Sequence, residues 1–266
     1  MDRLSSGASR DSHLVDPGGS LTVVMPAYNE AALIEGAVQE VVRSVLAAVP
    51  GSRLLVVDDG SRDSTGAILD RLSAGDPRVV VIHQANGGHG SALLRALQEP
   101  LAAWTLLLDS DQQIPLDGFL TAWQARTNNQ AVLGVRMHRQ DPLARRIVTT
   151  ILQWALTVLL GVRLTDPNVP FKLVRKDALE QVLALMPSNA LIPSVFIAAY
   201  LVRHRLPVAF IPLAYRQRPA GEGSLRPWRL LKLSARSALQ LMAFSFVLQR
   251  QMRSPVTAHP AERRAS

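Results

Sequence analysis

No cysteine occurs among the 266 residues, which excludes a disulfide framework and any thiolate metal site, so a metal would have to sit on oxygen or imidazole. Aromatic residues are sparse at 5%, and no aromatic pattern of the RNA-binding kind or helix-turn-helix spacing is present, so nucleic acid is not an expected partner. Acidic residues are scarce in the last quarter. From Arg203 to the end there are twelve Lys or Arg against only Glu222 and Glu262, within a net charge of +8. Such a cationic surface suits anionic lipid or a phosphorylated substrate. Long apolar runs are also missing. The longest charge-free stretch considered, Ile147 to Val162, has sixteen residues, about 24 Å as a helix against a bilayer core of about 30 Å, too short to span comfortably. Residues 1–20 lack the apolar segment of a signal peptide and, with 251–266, are expected to be disordered tails.

A content of 48% hydrophobic and 19% charged residues predicts a folded chain with a sizeable core. Leu21 to Met25 reads as a strand stopped by Pro26, followed by a helical pattern through Ala48. Arg53 to Val57 repeats the strand, Asp58 to Ser61 forms a turn, and Asp63, Ser64 and Thr65 open a helix as cap residues. Val79 to His83, a glycine-rich turn at 86–90 and a helix through Leu97 make a third unit, and Trp104 to Leu108 a fourth strand ending in Asp109. Strands alternating with helices, with near-continuous apolar strands, predict a mostly parallel sheet covered on both faces. Ligands of such sheets bind beyond the carboxyl ends of strands.

That rule selects the loops after each strand. They carry Tyr28, Asn29 and Glu30, then Asp58 and Asp59, then 86–89, then Asp109, Asp111 and Gln113. Asp109 and Asp111 stand two apart as a buried strand leaves the sheet, where both can face one hard cation such as Mg²⁺ or Mn²⁺ that keeps positions open for phosphate. Each feature also has a simpler reading. An isolated Asp-x-Asp is often a solvated turn, Glu30 can offset a helix dipole, Asp63 reads as a cap, and the glycines near His89, with His89 itself, can be structural. Further along, Pro227 to Leu248 reads as a basic amphipathic helix, with Arg229, Lys232 and Arg236 in its first half and an apolar run in its second, the pattern of an interfacial helix. The alternative is that this helix and the 142–164 apolar helix pack on each other or on a partner subunit.

Several ordered motifs together resemble the family 2 glycosyltransferases of the GT-A fold, and among them the dolichyl- or polyprenyl-phosphate sugar transferases. They are Val24-Met25-Pro26-Ala27-Tyr28-Asn29-Glu30, Val56-Val57-Asp58-Asp59-Gly60-Ser61, Asn86-Gly87-Gly88-His89-Gly90, Asp109-Ser110-Asp111-Gln112-Gln113, Gly134-Val135-Arg136, Pro170-Phe171-Lys172 and Gly221-Glu222-Gly223-Ser224, spread over about 21–225. The resemblance implies a GT-A domain over 21–225, after which the residue pattern places a basic amphipathic helix over 226–250. It implies that Pro26, Tyr28, Glu30 and Asp59, with Asp58 assisting, hold the nucleoside. It further implies that Asp109, Asp111 and Gln113 bind Mg²⁺ or Mn²⁺, that Arg136 and Arg218 contact donor phosphate or sugar, and that Arg145 and Arg146 meet an acceptor phosphate.

The chain departs from that pattern at Ser110, where relatives often have Ala, and at Leu225-Arg226, where a Lys often stands. The Gln-x-x-Arg-Trp motif of processive synthases is absent. The expected activity is inverting transfer of one sugar from a GDP-mannose or UDP-hexose type donor to a polyprenyl phosphate. The expected place is the periphery of a membrane's cytoplasmic face, with a homo-oligomer or membrane partner subunit possible. The rivals are transfer to a glycan or soluble hydroxyl, and a non-catalytic nucleotide-sugar-binding module that recruits a membrane partner.

Overall fold

The computed structural model describes residues 19–137, 143–216 and 227–253. The first half alternates as the sequence predicts: β1 Leu21–Ala27, α1 Ile34–Val41 with a π-helical extension Val42–Leu46, β2 Arg53–Asp58, α2 Thr65–Gly75, β3 Val79–His83, α3 His89–Leu97 and β4 Trp104–Leu107. Next come α4 Phe119–Ala125, β5 Ala131–Arg136, α5 Leu143–Leu160, β6 Lys172–Arg175, α6 Lys176–Leu183, α7 Pro193–Arg203, β7 Val208–Leu213 and α8 Pro227–Arg253. The last helix therefore runs three residues beyond the expected boundary at 250.

The seven strands form one sheet in the order β3-β2-β1-β4-β6-β5-β7. All neighbours pair parallel except β6, which is antiparallel to both β4 and β5. Side chains alternate between two cores. Val24, Leu55, Leu107 and Val174 face one helical layer with α3, α6 and α7, while Val23, Leu54, Leu106 and Leu173 face the other with α1 and α4. Burial on both faces is why these strands read as continuous apolar runs rather than alternating ones.

Pro26 does not stop β1, contrary to the sequence reading, because the strand continues to Ala27 opposite Asp58. The Val24 carbonyl faces β4, accepting from Leu108 N, so two residues on Pro26 faces that side too. Pairing of β1 with β4 ends at Val24, so the missing N–H of Pro26 has no ladder to break.

Two topological facts place the site. The chain winds outward through β1, β2 and β3, then returns to add β4 on the other side of β1, so the switch point lies between β1 and β4. A crevice forms there at the carboxyl edge. The reversed β6 also brings its first residue, Lys172, to that edge, opposite Leu107 of β4.

The start of α3 is held close to the segment before α7. A Cβ on Gly90 would stand 2.5 Å from the Ala190 carbonyl oxygen and 2.6 Å from that of Leu191. Backbone oxygens cannot swing aside, so the clash outweighs the helix propensity an alanine brings, about 1 kcal/mol. Gly90→Ala is expected to lower the urea unfolding free energy by about 1 to 2 kcal/mol; an unchanged midpoint would show that this contact gives way freely.

Candidate active site

The loops after β1 and β2 are tied to each other. Asn29, at φ +53°, accepts from Arg62 N at 2.8 Å through its side-chain oxygen and donates its own N–H to Ser61 Oγ at 3.0 Å. Asn tolerates this left-handed conformation better than most residues. Glu30 N donates to Thr65 Oγ1 at 2.8 Å, and the Asp63 carboxylate accepts from Thr65 N and from Ala31 N. Asp63 is thus both the local cap that the sequence predicts and a bridge between loops. Tyr28, Asn29 and Glu30 stand on this braced edge, while Pro26 is buried inside β1.

Asp58 and Asp59 are both buried. The Asp58 carboxylate accepts from Ser61 N at 3.1 Å and from Ser61 Oγ, and meets His83 Nδ1 at 2.9 Å. The Asp59 carboxylate accepts from Gly87 N at 2.8 Å, Gly88 N at 2.7 Å and Gln84 Nε2 at 2.7 Å, while Asn86 Nδ2 donates to the Asp59 carbonyl at 2.9 Å. The two carboxylates expected at a nucleoside are thus engaged within their own loops, and Asp59 is the clamp that folds the glycine-rich turn.

That turn delivers His89 at the first position of α3. Its Nε2 lies 3.8 Å from Asp109 Oδ1, so a histidine read as structural from sequence stands at the acidic pair. Asp109 and Asp111 follow β4 and border a small cavity lined also by Met25, Glu40, Leu108, Gln112 and Pro170. Asp111 Oδ1 accepts from Gln113 N at 3.1 Å. Gln112 holds φ +54°, a conformation uncommon for a non-glycine residue. Gln113 is anchored from β7's exit: its Nε2 donates to the Tyr215 hydroxyl at 2.8 Å, and its carbonyl accepts from Arg216 N at 2.8 Å. Oxygen donors dominate here, which suits a hard cation. Among the described residues no group of three His, Cys, Asp or Glu converges, so a cation here would complete its coordination with ligand and water oxygens, as Mg²⁺ commonly does.

Near the acidic pair is a group of charges, Arg136, Asp166 and Lys172, of which the sequence reading gave a role only to Arg136. Arg136 makes a bidentate pair with Asp166, Nε to Oδ2 at 2.6 Å and Nη2 to Oδ1 at 2.7 Å, and its guanidinium carbon lies 5.4 Å from the Tyr215 ring centre. Arg136, expected to touch donor phosphate, has its fork engaged by this carboxylate. Lys172 is fully buried; its Nζ donates to Ser194 Oγ at 2.7 Å and to the Val169 carbonyl. Desolvation pushes its pKa down to about 7, against the pull of Asp166 and Asp109. Two signals marked it in the sequence, its place in the motif Pro170-Phe171-Lys172 and a charge inside the apolar run Phe171 to Val174, and neither assigned it a role. Arg145 and Arg146 lie in the first turn of α5, and Arg218 lies outside the described residues.

A doubly wound α/β domain with an acidic site at its switch point is thus defined by fold and geometry. Residues 22–192 match the model of glycosyl transferase family 2, well over half of the chain, and the chain belongs to that family. It is 28% identical over 221 residues to the undecaprenyl-phosphate 4-deoxy-4-formamido-L-arabinose transferase of Pseudomonas fluorescens strain Pf0-1, covering 80% of this chain and 62% of that protein. The enzyme of the same description from Pseudomonas aeruginosa strain LESB58 is 27% identical over 216 residues with the same coverage. The chain thus spans 62% of the length of these curated relatives. In fold it is similar to glucosyl-3-phosphoglycerate synthase from Mycobacterium tuberculosis in complex with UDP, at a TM-score of 0.63 and 21% identity over 86% of this chain and 81% of that one. The same synthase has been solved with Mn²⁺, UDP-glucose and phosphoglyceric acid, with a TM-score of 0.62, 22% identity and the same coverage.

The Asp58–His83 contact carries a pH signature. Hydrogen bonds to Asp58 and then to Asp70 raise the His83 pKa above its usual 6.5. Protonated His83 is favoured in the folded state, so its contribution is fully present below about pH 6.5 and is lost as pH rises through the raised value. His83→Gln is expected to lower the melting temperature most at about pH 5.5 and hardly at all at about pH 9; a deficit that is constant or grows with pH would contradict this linkage.

Proposed function

We propose that the chain transfers one sugar, with inversion, from a nucleotide diphosphate donor of the GDP-mannose or UDP-hexose type to a polyprenyl phosphate. The observation that carries this reading is the pair Asp109 and Asp111 at the β1/β4 switch point of a family 2 domain, with Gln113 braced beside it. Asp109, Asp111 and Gln113 would hold Mg²⁺ or Mn²⁺, which when bound offsets the negative charge that develops on the departing diphosphate. Tyr28 and Glu30, on the loop after β1, with Pro26 in the strand behind them and Asp58 and Asp59 fixing the neighbouring loops, would wall the nucleoside, and Arg218 would meet the donor phosphate. Arg136, paired with Asp166, would stand beside the donor as part of a neutral ion pair rather than as a free phosphate ligand.

A phosphate acceptor is supported by the absence of any need for a base. The second ionisation of a phosphate monoester lies at about 6, so the attacking oxygen is anionic near neutrality. It would displace the diphosphate at the anomeric carbon, forming the new C–O bond as the old one breaks. Asp166 beneath the site is bound by the Arg136 fork and is poorly placed to take a hydroxyl proton. The names of the undecaprenyl-phosphate relatives point the same way, and Arg145 and Arg146 at the start of α5 would receive the acceptor phosphate. Release of UDP or GDP from a donor panel, with and without Mn²⁺ and polyprenyl phosphate, tests this directly. Asp111→Asn is expected to reduce turnover by at least about a hundredfold with an unchanged melting temperature, and joint change of Arg145 and Arg146 to Ala to raise the acceptor KM more than about tenfold while sparing donor affinity. Equal turnover with a sugar or glycerate hydroxyl acceptor would favour the rival reading.

Membrane association is part of the same proposal. No helix among the described residues is long and apolar enough to cross a membrane. On α5, Ile151, Trp154 and Val158 share one exposed stripe at helical spacing, and α8 exposes Leu239, Met242 and Phe246 likewise, with Trp154 67% and Phe246 64% accessible. The 27 residues of α8 include Arg229, Lys232, Arg236, Arg250 and Arg253 and no acidic residue. Apolar stripes on basic helices suit the interface of an anionic bilayer, each cation near the surface contributing about 1 kcal/mol. The chain is expected to sediment with phosphatidylglycerol vesicles and to be released by salt, and the double change of Trp154 and Phe246 to Ser to abolish sedimentation. Retention of binding by that variant, or a stable dimer in place of vesicle binding, would assign the stripes to a protein partner.

A further inference from the structure

Lys172 presents a physical problem that the donor site resolves. It is the first residue of β6, its side chain has no solvent exposure, and its chain neighbours Phe171 and Leu173 are both fully buried. An ammonium in such a place is strongly disfavoured unless matched by opposite charge. Its hydrogen bonds, to Ser194 Oγ and the Val169 carbonyl, are to neutral groups. Two carboxylates attract it, Asp166 and Asp109, while Arg136 repels it. Asp166 is already gripped by both arms of the Arg136 guanidinium, so that pair is close to neutral as a unit. Lys172 opens β6 opposite Leu107, two residues before Asp109, and its buried positive charge acts on Asp109 as well as on Asp166; the Asp109 side chain is 36% exposed at the cavity mouth. In surroundings this dry, a fixed charge acts on the site above it without touching a ligand.

We infer that Lys172 is a positioning residue for the donor site: a buried counter-charge under Asp109 that favours the anionic diphosphate and disfavours the bare divalent cation. The inference rests on the donor-site reading proposed above. Its consequence is that the Lys172 charge offsets part of the attraction the carboxylates hold for the bare cation, whereas the same charge attracts the diphosphate. Nucleotide would therefore favour cation loading, and the site would be poor at holding the cation without nucleotide. A purely architectural lysine, needed only to satisfy Ser194 and Val169, would have no such sign preference.

The test uses the full chain and the variant Lys172→Met, which keeps the length of the side chain and removes its charge. Binding of UDP and GDP is measured by calorimetry in EDTA at about pH 6, below the value near 7 at which Lys172 loses its proton. Binding of Mn²⁺ without nucleotide is measured by electron paramagnetic resonance of the free ion. The expected result is a pair of opposite shifts: nucleotide affinity falls about tenfold, and Mn²⁺ affinity rises about three- to tenfold. Lys172→Arg, which restores the charge, is expected to return both shifts toward wild type. Ser194→Ala, which removes a hydrogen-bond partner and no charge, is expected to leave both within about twofold. Should Lys172→Met fail to give a cooperative melt, Lys172→Gln replaces it, since an amide can still donate to the Val169 carbonyl. Affinities that fall together, or that do not move, overturn the role of Lys172 while leaving the donor site standing. If the wild-type chain binds neither UDP nor GDP nor Mn²⁺, the donor-site reading fails and this inference with it.

Discussion

A charge inside a sheet has to find its opposite nearby, and in this protein that requirement organises everything below the site. Arg136 leaves β5, Asp166 precedes β6 and Lys172 begins it, so the charged layer exists only because β6 runs against its neighbours and turns its first residue toward the edge where the other strands end. Had β6 run parallel, Lys172 would sit at the opposite edge of the sheet. The ion pair of Arg136 with Asp166 is buried on both sides, and breaking such a pair by removing one partner typically costs about 3 to 5 kcal/mol because the other charge is stranded. The antiparallel strand is thus tied by its ladder to β4, which leads into the acidic pair, and by the Lys172 charge to Asp109.

The loops at the carboxyl edge follow a related economy of polar groups. Asp59 satisfies two successive glycine N–H groups that would otherwise be orphaned in a tight turn, and that turn sets His89 and the start of α3 beside Asp109. Asp63 links the loop after β1 to the start of α2, and Tyr215 links the exit of β7 to Gln113. Carboxylates and hydroxyls drawn from distant parts of the chain thereby hold the edge rigid before any ligand arrives, the preorganisation that charge stabilisation in a transition state requires.

Along α5 and α8 the packing has a different character. α8 is anchored by Leu241, Phe244 and Leu248, with the Phe244 ring 4.8 Å from that of Phe196 on α7, and it packs along α5. Yet both helices keep large apolar side chains on their outer faces. An inner face buried in the core and an outer face left greasy on basic helices is a pattern that a water-facing helix does not need. It gives the domain one surface whose chemistry differs from the acidic site edge.

The sequence by itself determined the first half of the fold, because strands buried on both faces and helices with an apolar stripe impose different periods, and these could be read from Leu21 through Leu108. It also marked the loops that carry the acidic pair, since a parallel sheet offers its carboxyl edge to ligands wherever its strands end. Only the tertiary structure decided that Pro26 lies within β1, because that depended on where β4 stops pairing. It alone showed that the Asp58 and Asp59 carboxylates are occupied within the loops, and it alone set Asp166, Lys172 and Tyr215 around the site. Those three come from segments distant in the chain from Asp109, and no local period or spacing records which strand a later segment will join or in which direction. A buried charge is legible in one dimension only as an oddity, such as the lysine between Phe171 and Leu173; the partner that makes it tolerable is a fact of three dimensions.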